Sequence, residues 1–342
     1  MQFDGESLIT REQIASEFAS PGVEHRDGML VEAKAKMALM LSMARDSFEK
    51  GRDPTAITER IAAELHKARA KYHPSVWQEL IPIVQNHPVT QYFHQDPFTR
   101  WSFDKPRGYS GDAQLLDFIY GQPSAEARVA TASPLGRVLY ESTRASQSSA
   151  AVRERRSLLA RHVDEIAETR GSEAEILAAA AGHLREAELS TAFQERRMKR
   201  WVALDQDPLS IGAITRDFRG TPVEAIDGSV RGLLTDSHEL GTFDFVYAAG
   251  LYDYLPRAVA VKLTRKCMRM LKPNGVFLFA NFAEGIPDDG FMETFMNWTL
   301  LLRTEADMWN IINASVDRNT VEASVEFGEN RNIVYGVIRK RS

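Results

Sequence analysis

Glycine and acidic residues follow the short apolar runs in the second half of the chain. The run EILAAAA leads into Gly182 and His183, WVAL ends at Asp205, and VEAI ends at Asp227. If these runs are parallel strands, their carboxyl ends share one edge of a sheet, where open parallel sheets bind their ligands. A carboxylate about 20 residues after the glycine turn is well placed to accept hydrogen bonds from both hydroxyls of a ribose.

Asp205 has two interpretations. Its position predicts either the ribose contact or an N-cap of the helix that follows, with Asp207 as a second candidate for the ribose. The third run continues from Asp227 through Gly228 to Ser229. There a carboxylate can accept a hydrogen bond from the amino group of an adenine.

The turn after the first run carries a single glycine, Gly182. A dinucleotide-binding turn uses three glycines so that its backbone can approach a pyrophosphate, and a P-loop requires GxxxxGK[ST]. The sequence has neither pattern at this turn. We therefore expect a ligand that places no phosphate there.

Strand-length apolar runs alternate with helix-like polar sequence from residue 171 onward. Continuous apolar runs are typical of strands buried on both faces, and the alternation predicts a doubly wound, mostly parallel α/β sheet. The tail segments TVEASVEF and NIVYGVIR alternate in polarity and predict a C-terminal antiparallel hairpin. The five buried strands are expected in EILAAAAG, RWVALDQD, TPVEAIDG, FDFVYAAG and GVFLFANF, the last after a turn at 271–275.

The first half of the chain predicts helices. Apolar residues recur at three- and four-residue steps from Leu30 to Ala44, a spacing that predicts helix packing. Residues 134–169 predict a long helical stretch, broken between Ser146 and Ser149. The charge run from Arg153 to Arg156 predicts a solvated helix face.

Residues 96–121 mix aromatic, proline, glycine and charged residues without a period, which predicts an ordered loop or lid. We accordingly expect three domains. They are a helical N-terminal domain at 1–95, a lid loop with connecting helices at 96–170, and a Rossmann-like ligand-binding domain at 171–342.

Composition limits the function classes. The chain has 342 residues, a formal net charge of −5 and one cysteine, Cys267. The acidic balance excludes a general nucleic-acid binder, and no run reaches the roughly 18 to 20 uncharged apolar residues of a membrane-spanning helix. A single cysteine excludes an internal disulfide framework and a multi-cysteine metal site. With no visible secretory signal, we expect a reduced, cytoplasmic protein without a metal.

The ordered set EILAAAAGHLREAE, WVALDQDP, AIDGS, FDFVYAAGLYDYLP and LKPNGVFLFANF resembles the class I S-adenosylmethionine-dependent methyltransferases over residues 171–342. Ala179, Ala180 and Ala181 stand where that family commonly has glycines. The upstream helices and the segment KPRGYSGDA resemble a bacterial subgroup that includes fatty-acid methyl ester biosynthesis proteins and lies near azetidine-2-carboxylate synthases. The resemblance implies a seven-stranded Rossmann-like sheet and S-adenosyl-L-methionine as the cofactor.

The resemblance also implies roles for the residues that follow the strands. Tyr252 and Tyr254 offer aromatic rings to the sulfonium, and Arg185 or Arg107 offers a partner for the methionine carboxylate. The residues expected to bind the cofactor are Ala180, Gly182, Arg185, Asp205, Asp227, Gly228, Ser229, Ala249, Gly250 and Tyr254.

The catalytic requirement depends on the acceptor. A sulfonium methyl is already activated, so the protein supplies mainly proximity, and a base is needed only where the acceptor must lose a proton. The expected catalytic residues are Tyr109, His183, Tyr252 and Asp253, and the expected substrate-binding residues are Arg107, Asp112, Asn281 and Trp298. For Asp112, the alternative is an N-cap of the helix that follows GYSGDA.

Three functions follow from these expectations. The first is a methyltransferase acting on a hydroxyl or carboxyl oxygen of a small molecule. The second is a cyclase, in which the α-amine of S-adenosylmethionine attacks its own γ-carbon, expels methylthioadenosine and forms azetidine-2-carboxylate. The third is a nucleoside-binding module without catalysis.

Overall fold

The structure, a computed structural model, describes residues 26–341 in two compact units. The sheet unit consists of Ala151–Glu284 and 301–341, and the helical unit of 26–150 and Gly285–Leu300. The secretory-signal expectation and the first 25 residues of the predicted domain 1–95 lie outside the described residues. Residues 96–150 group with the helices that precede them, and the three-domain division stays a prediction.

Helices make up the regular structure of residues 26–150. The helices of the described chain are α1 Arg26–Glu49, α2 Pro54–Lys71, α3 Pro74–Asn86, α4 Thr90–Phe93, α5 Pro97–Asp104, α6 Ala113–Tyr120, α7 Pro123–Ala130, α8 Pro134–Ala145, α9 Gln147–Arg170, α10 Thr191–Gln194, α11 Pro208–Asp217, α12 Val230–Leu234, α13 Arg257–Arg269, α14 Asp289–Thr294 and α15 Glu305–Ser315. The predicted break near Ser146 is confirmed, since Ser146 separates α8 from α9.

The predicted loop at 96–121 is wrong for most of its length. The segment forms α5 and α6, joined by a short turn in which Gly108 and Gly111 have left-handed backbones with φ of 86° and 72°. Asp96 caps α5 by accepting hydrogen bonds from the Phe98 and Thr99 N–H groups, and a proline occupies the first helical position. The N-cap and the proline are sufficient to start α5, although a helix this short shows no apolar periodicity in the sequence.

The sheet unit contains seven strands in the order β3-β2-β1-β4-β5-β7-β6. β1 to β5 are parallel, whereas β7 pairs antiparallel with both β5 and β6. The predicted parallel sheet and C-terminal hairpin are confirmed. The strands are β1 Glu175–Ala179, β2 Arg200–Asp205, β3 Val223–Asp227, β4 Phe243–Ala248, β5 Leu271–Phe282, β6 Val321–Phe327 and β7 Ile333–Lys340.

The turn predicted at 271–275 is part of β5. Leu271 pairs with Phe243, and the register then shifts so that Val276 pairs with Phe245. Asn274 takes a left-handed backbone, with φ of 60°. The extra residues form an irregularity inside the strand, so the turn signal marks a bulge.

The solvated face predicted for Arg153 to Arg156 is also wrong. Arg155 is only 5% exposed, and the other three residues of the run are half-buried. Glu154 accepts hydrogen bonds from the Glu329 N–H at 2.9 and 3.2 Å. This part of α9 contacts the turn between β6 and β7 and the loop after β4. The charge run gives no sign of these contacts in the sequence.

A cluster of charged side chains lies at the amino edge of the sheet. Glu175, at the start of β1, accepts from Arg200 Nε at 2.8 Å and lies 2.5 Å from Lys272 Nζ. Lys272 also binds Asp244 at 2.8 Å. Burial favours the neutral form of Glu175, but Lys272, Arg200 and Lys199 outweigh it and lower the pKa of Glu175 to about 2.

Replacing Glu175 with Gln tests this cluster. A carboxylate whose folded pKa lies below its ordinary value of about 4.3 stabilises the protein above that pH, and the contribution is lost as the pH falls toward 2. We expect Glu175→Gln to lower the free energy of unfolding by about 1 to 3 kcal/mol at pH 7. Urea unfolding at pH 7 and pH 3.5 should show the difference from wild type shrinking at the lower pH.

Glu224→Gln is the matched control. The Glu224 side chain is 52% exposed and 3.9 Å from Arg200, so its loss should change the unfolding free energy by less than about 0.5 kcal/mol. Equal destabilisation by the two variants, or a loss at Glu175 that does not depend on pH, would contradict this account.

Candidate functional site

The strand order reverses between β1 and β4. β1 pairs with β2 on one side and with β4 on the other, so the connections run in opposite directions from this point. In open parallel sheets the crevice outside the carboxyl ends at such a reversal is where ligands bind. The turns after β1, β2 and β4 therefore define the candidate site.

The turn after β1 has an unusual backbone. Ala180, Gly182 and Leu184 all have left-handed backbones, with φ of 59°, 58° and 54°. For a residue with a side chain this conformation costs roughly 1 to 2 kcal/mol. Ala181 donates its N–H to the Leu204 carbonyl at 3.0 Å, so β2 helps to hold the strained turn.

Asp205 holds the same turn from the end of β2. Its Oδ2 accepts the Gly182 N–H at 2.7 Å, and its Oδ1 accepts the Asp207 N–H at 2.9 Å. Asp205 is 7% exposed. Burial raises the pKa of Asp205 to about 6, against the opposing effect of the two N–H donors. Each carboxylate oxygen can accept a second hydrogen bond, so this carboxylate retains acceptor capacity for a ligand.

The cap of the helix after β2 is Asp207. Its side chain accepts the Leu209 N–H at 2.9 Å and lies 3.3 Å from the Ser210 hydroxyl. The cap interpretation of Asp205 is therefore wrong. Asp207, the second candidate for the ribose, uses its carboxylate to cap the N-terminus of α11.

The end of β3 lies beside Asp205. Asp227 pairs with Asp205 in the strand register and is exposed. Gly228 donates its N–H to the Asp205 carbonyl at 2.9 Å, and a Cβ on Gly228 would lie 2.6 Å from His238 Nε2. Ser229 caps α12 through the Gly232 N–H. His238 borders this turn, and its polar surroundings in the sequence contain no signal for that position.

The loop after β4 is held by Arg155. Arg155 Nη1 donates to the Ala249 carbonyl at 2.5 Å, and a Cβ on Gly250 would lie 3.8 Å from Arg155 Nη2. Arg155 was missed by sequence reasoning because it sits within a run of charges. Its guanidinium supports the backbone of Ala249 and lies beside Gly250, both of which are predicted cofactor-binding residues.

The catalytic role predicted for Tyr252 is not compatible with its position. The side chain is fully buried, its ring centroid lies 4.5 Å from that of Phe279, and its hydroxyl bonds to Thr264 at 2.8 Å. Burial raises the pKa of Tyr252 well above its ordinary value. Tyr252 belongs to the core, and Tyr254, in the same 3-10 turn, is 7% exposed.

Asp253 and Asn281 belong to a buried polar network with Arg303. Asp253 Oδ1 accepts the Phe282 N–H at 2.6 Å, and burial raises the pKa of Asp253 to about 6. The Asn281 amide donates to the Phe282 and Leu301 carbonyls, and its oxygen accepts from Arg303. Asn281 thus uses its amide inside the protein, which argues against the predicted contact with a substrate. Asp253 acts here as an anchor for the end of β5.

His183 and Arg185 follow the turn after β1. His183 is 6% exposed, and its proximity favours the ionised form of Asp205. Arg185 lies 2.8 Å from Glu188 and 3.7 Å from Asp217. Its guanidinium is therefore already paired with carboxylates, and a role toward a methionine carboxylate stays a prediction.

The remaining predicted site residues belong to the helical unit. Asp112 caps α6 through the Leu115 N–H at 2.9 Å, which confirms the cap interpretation, and it also accepts from Trp101 Nε1. Arg107 lies 3.8 Å from Asp112. Tyr109 is half-buried and Trp298 is 5% exposed. The catalytic and substrate-binding roles of these residues stay predictions.

The described residues contain neither a cluster of metal-ligating side chains nor a membrane-spanning helix. Between residues 26 and 341, no group of three or more histidine, cysteine, aspartate or glutamate side chains has an arrangement that could hold a metal ion. No helix of that range is both long and apolar enough to cross a membrane.

The fold has counterparts among solved structures. A possible exported protein from Bordetella parapertussis is 17% identical, with a TM-score of 0.54 over 86% of this chain and 99% of that chain. The N-methyltransferase NodS from Bradyrhizobium japonicum, in complex with S-adenosyl-L-homocysteine, is 16% identical, with a TM-score of 0.40 over 58% of this chain and 90% of that chain. An S-adenosylmethionine-dependent methyltransferase from Clostridium acetobutylicum is 10% identical, with a TM-score of 0.41 over 56% and 92%.

These likenesses concern the fold. At 17% identity the Bordetella protein supports the architecture, and the two methyltransferases, with TM-scores of 0.40 and 0.41, add nothing to the assignment of an activity. No protein-family profile and no curated protein sequence matches the chain.

Tyr252→Phe separates a core role from a catalytic one. The variant loses the hydrogen bond to Thr264, whose hydroxyl keeps its bond to the Ala260 carbonyl. We expect the free energy of unfolding to fall by about 0.5 to 1.5 kcal/mol, with unchanged affinity for S-adenosylmethionine. Urea unfolding and calorimetry measure the two quantities. Unchanged stability together with weakened binding would contradict the core role and indicate that the Tyr252 hydroxyl contributes to cofactor binding.

Proposed function

We propose that the sheet unit binds S-adenosylmethionine at the carboxyl ends of β1, β2 and β4, and that the protein is a methyltransferase. Its expected acceptor is a hydroxyl or carboxyl oxygen of a small molecule. The observation that carries the proposal is the Asp205 carboxylate, buried at the end of β2, one strand from the reversal between β1 and β4, and fixed by the Gly182 and Asp207 N–H groups.

The residues at this edge fit a nucleoside. Two backbone N–H groups fix the orientation of the Asp205 carboxylate, so it need not rearrange to bind a ligand. Its remaining lone pairs can accept hydrogen bonds from the two hydroxyls of a ribose. Asp227, exposed one strand away, offers a second carboxylate for the amino group of an adenine. The left-handed turn at Ala180 and Gly182 brings backbone to the same edge.

The chemistry requires little from the protein. S-adenosylmethionine would supply a methyl group already activated by the sulfonium, so the residues have mainly to hold and orient it. Asp205 would fix the ribose, and the Ala249–Gly250 backbone, held by Arg155, would border the cofactor. A carboxylate acceptor would need no base. For a hydroxyl acceptor, His183, which follows the turn after β1 and acts electrostatically on Asp205, would be the candidate base.

The two alternative functions are the cyclase and the nucleoside-binding module without catalysis. Cyclisation and non-catalytic binding would use the same nucleoside contacts, and no observation at Asp205 selects either of them. We further propose that the protein is cytoplasmic and that it does not act on nucleic acid. The acidic composition of the chain fits the second of these points.

Asp205→Ala tests the ribose contact. Losing a charged acceptor should weaken S-adenosylmethionine binding by about 1 to 3 kcal/mol, or roughly 5- to 150-fold. Isothermal calorimetry measures the affinity, and circular dichroism checks that the variant is folded. Asp207→Ala is the matched control, because it removes a helix cap and should cost about 1 kcal/mol of stability while leaving the affinity within twofold. Equal affinity of Asp205→Ala and wild type would contradict the proposal.

The pH dependence of binding follows from the raised pKa of Asp205. With a pKa of about 6, the carboxylate is ionised at pH 7.5 and mostly protonated at pH 5. The ionised form is the stronger acceptor, so affinity for S-adenosylhomocysteine should fall about tenfold between these values. Asp205→Ala should lack this decrease. A wild-type affinity that is constant from pH 7.5 to 5 would show that the ionisation of Asp205 does not control binding.

Product analysis decides between the activities. Purified protein is incubated with S-adenosylmethionine, first alone and then with a panel of hydroxy and carboxylic acids, and the products are followed by mass spectrometry. The proposal predicts S-adenosylhomocysteine and a methylated acid, formed only when an acceptor is present. Methylthioadenosine with a cyclic amino acid, formed without an acceptor, would establish the cyclase. Binding without any turnover would support the non-catalytic module.

A further inference from the structure

A groove of about 650 Å³ opens in the sheet unit where β6 begins and β7 ends. Its lining includes Val321, the first residue of β6, and Lys340, the last residue of β7. Lys340 Nζ donates to the carbonyl of Leu271, which is the first residue of β5. Because β5 runs parallel to β1, the groove lies at the amino edge of the sheet, and the Asp205 site lies at the carboxyl edge. The volume falls within the roughly 300 to 1,000 Å³ typical of small-molecule sites.

The groove is strongly positive although the chain as a whole is acidic. Its lining contains four cationic side chains and a single carboxylate. That carboxylate, Asp317, already accepts the Asn319 N–H at 2.9 Å. The four cations are Arg265, Arg269, Lys340 and Arg341.

Carbonyl groups hold three of these cations in place. Arg265 Nη2 donates to the Ala314 carbonyl at 2.6 Å, and Arg341 Nη1 donates to the Asn319 carbonyl at 3.2 Å. Lys340 is held by the Leu271 carbonyl at 2.9 Å. A carbonyl orients a cation but leaves its charge uncancelled, whereas the lysines and arginines around Glu175 meet carboxylates. Glu322, 3.9 Å from Arg341, is exposed and weakens that charge only slightly.

Arg269 adds a cation without a carboxylate partner. Among the described residues, no carboxylate oxygen lies within 4 Å of its guanidinium. Burial and the neighbouring charge of Arg269 lower the pKa of Lys266, in the same helical turn. A cation at the C-terminus of α13 offsets the helix dipole. That effect does not explain Lys340 or Arg341, which come from the end of β7 and the residue after it.

The floor of the groove is apolar. Met268 and Val321 are 8% and 4% exposed, and Val316 is half-buried. An inorganic anion would contact only the cationic side chains, whereas an anion with an apolar body would also pack against these apolar side chains. The Arg269 guanidinium matches the geometry of phosphate oxygens, and Lys340, already held by a carbonyl, loses little freedom on binding.

We propose that this groove binds a phosphorylated small molecule, with its phosphate at Arg269 and Lys340 and its organic part on Met268 and Val321. The site is separate from the proposed cofactor site and does not rest on it. A ligand bound there would contact α13, β6 and β7, which are elements of the same sheet that carries Asp205 at its other edge.

Calorimetry with 1-naphthyl phosphate tests the site without involving a nucleoside. The probe carries a phosphate and an apolar body but no ribose, so the Asp205 site does not recognise it. We expect saturable binding of one equivalent in 150 mM salt. Inorganic pyrophosphate, titrated in parallel, should bind more weakly because it has no apolar body.

Three variants localise the binding. Arg269→Gln and Lys340→Gln should each weaken the affinity for 1-naphthyl phosphate at least tenfold. Lys262→Gln, an exposed cation of α13 outside the groove lining, should leave it within twofold. Circular dichroism checks the fold, and Arg269→Gln, which removes no intramolecular carboxylate pair, keeps the test valid if Lys340→Gln unfolds.

Several results would overturn the proposal. One is the absence of saturable binding by either soluble phosphate. Another is an equal loss in Lys262→Gln and Arg269→Gln, which would indicate general attraction to a positive surface. Phosphatidylglycerol vesicles form a third arm of the test. Binding to vesicles without binding to the soluble phosphates would assign the cations to a membrane surface instead.

Discussion

The hydrogen bonds from the Gly182 and Asp207 N–H groups to the Asp205 carboxylate are the contacts on which the candidate site depends. They join the turns that follow β1 and β2. The turn after β1 holds Ala180 and Leu184 in left-handed conformations that side chains rarely adopt. A buried carboxylate is costly unless donors satisfy it, and here two backbone donors do so while lone pairs remain for a ligand.

The two edges of the sheet use charge in different ways. At Glu175, cations and carboxylates neutralise one another, and the low pKa of Glu175 shows that its charge is stabilised. At Asp205, the raised pKa reflects a carboxylate that only backbone dipoles and His183 support. A buried carboxylate that keeps unused acceptor capacity at the carboxyl edge is expected of a binding site rather than a structural one. The cationic groove is the corresponding case of uncancelled charge at the amino edge.

Much of the sheet could be predicted from the sequence. The uninterrupted apolar runs identified the five parallel strands, although β3, at the edge of the sheet, is only half-buried to exposed. The alternation in TVEASVEF and NIVYGVIR identified the hairpin. Asp205 could be placed because the end of a strand is fixed once the strand is recognised. The bulge in β5 could not be predicted, since LKPNG has the same composition in a turn and in a bulge. The helices of 96–121 were missed because each is short and begins with a cap rather than with an apolar period.

Side-chain roles were harder to predict than backbone positions. Tyr252 follows β4 and Asn281 lies next to the end of β5, positions where ligand-binding residues are expected. The Tyr252 ring nevertheless packs on Phe279, and the Asn281 side chain is satisfied by Arg303 and nearby carbonyls. Arg155 shows the opposite error, because its sequence context indicates solvent and its guanidinium holds the Ala249 carbonyl. Burial of a polar side chain depends on contacts distant in the chain, which local spacing does not encode.

A crystal structure with S-adenosylhomocysteine bound would test the central claim most directly. The measured quantity is the distance from the Asp205 carboxylate oxygens to the ribose hydroxyl oxygens. Our account predicts two such distances within about 2.5 to 3.0 Å, with the Gly182 and Asp207 hydrogen bonds intact. A nucleoside bound elsewhere, or bound at this edge with its ribose out of reach of Asp205, would contradict it.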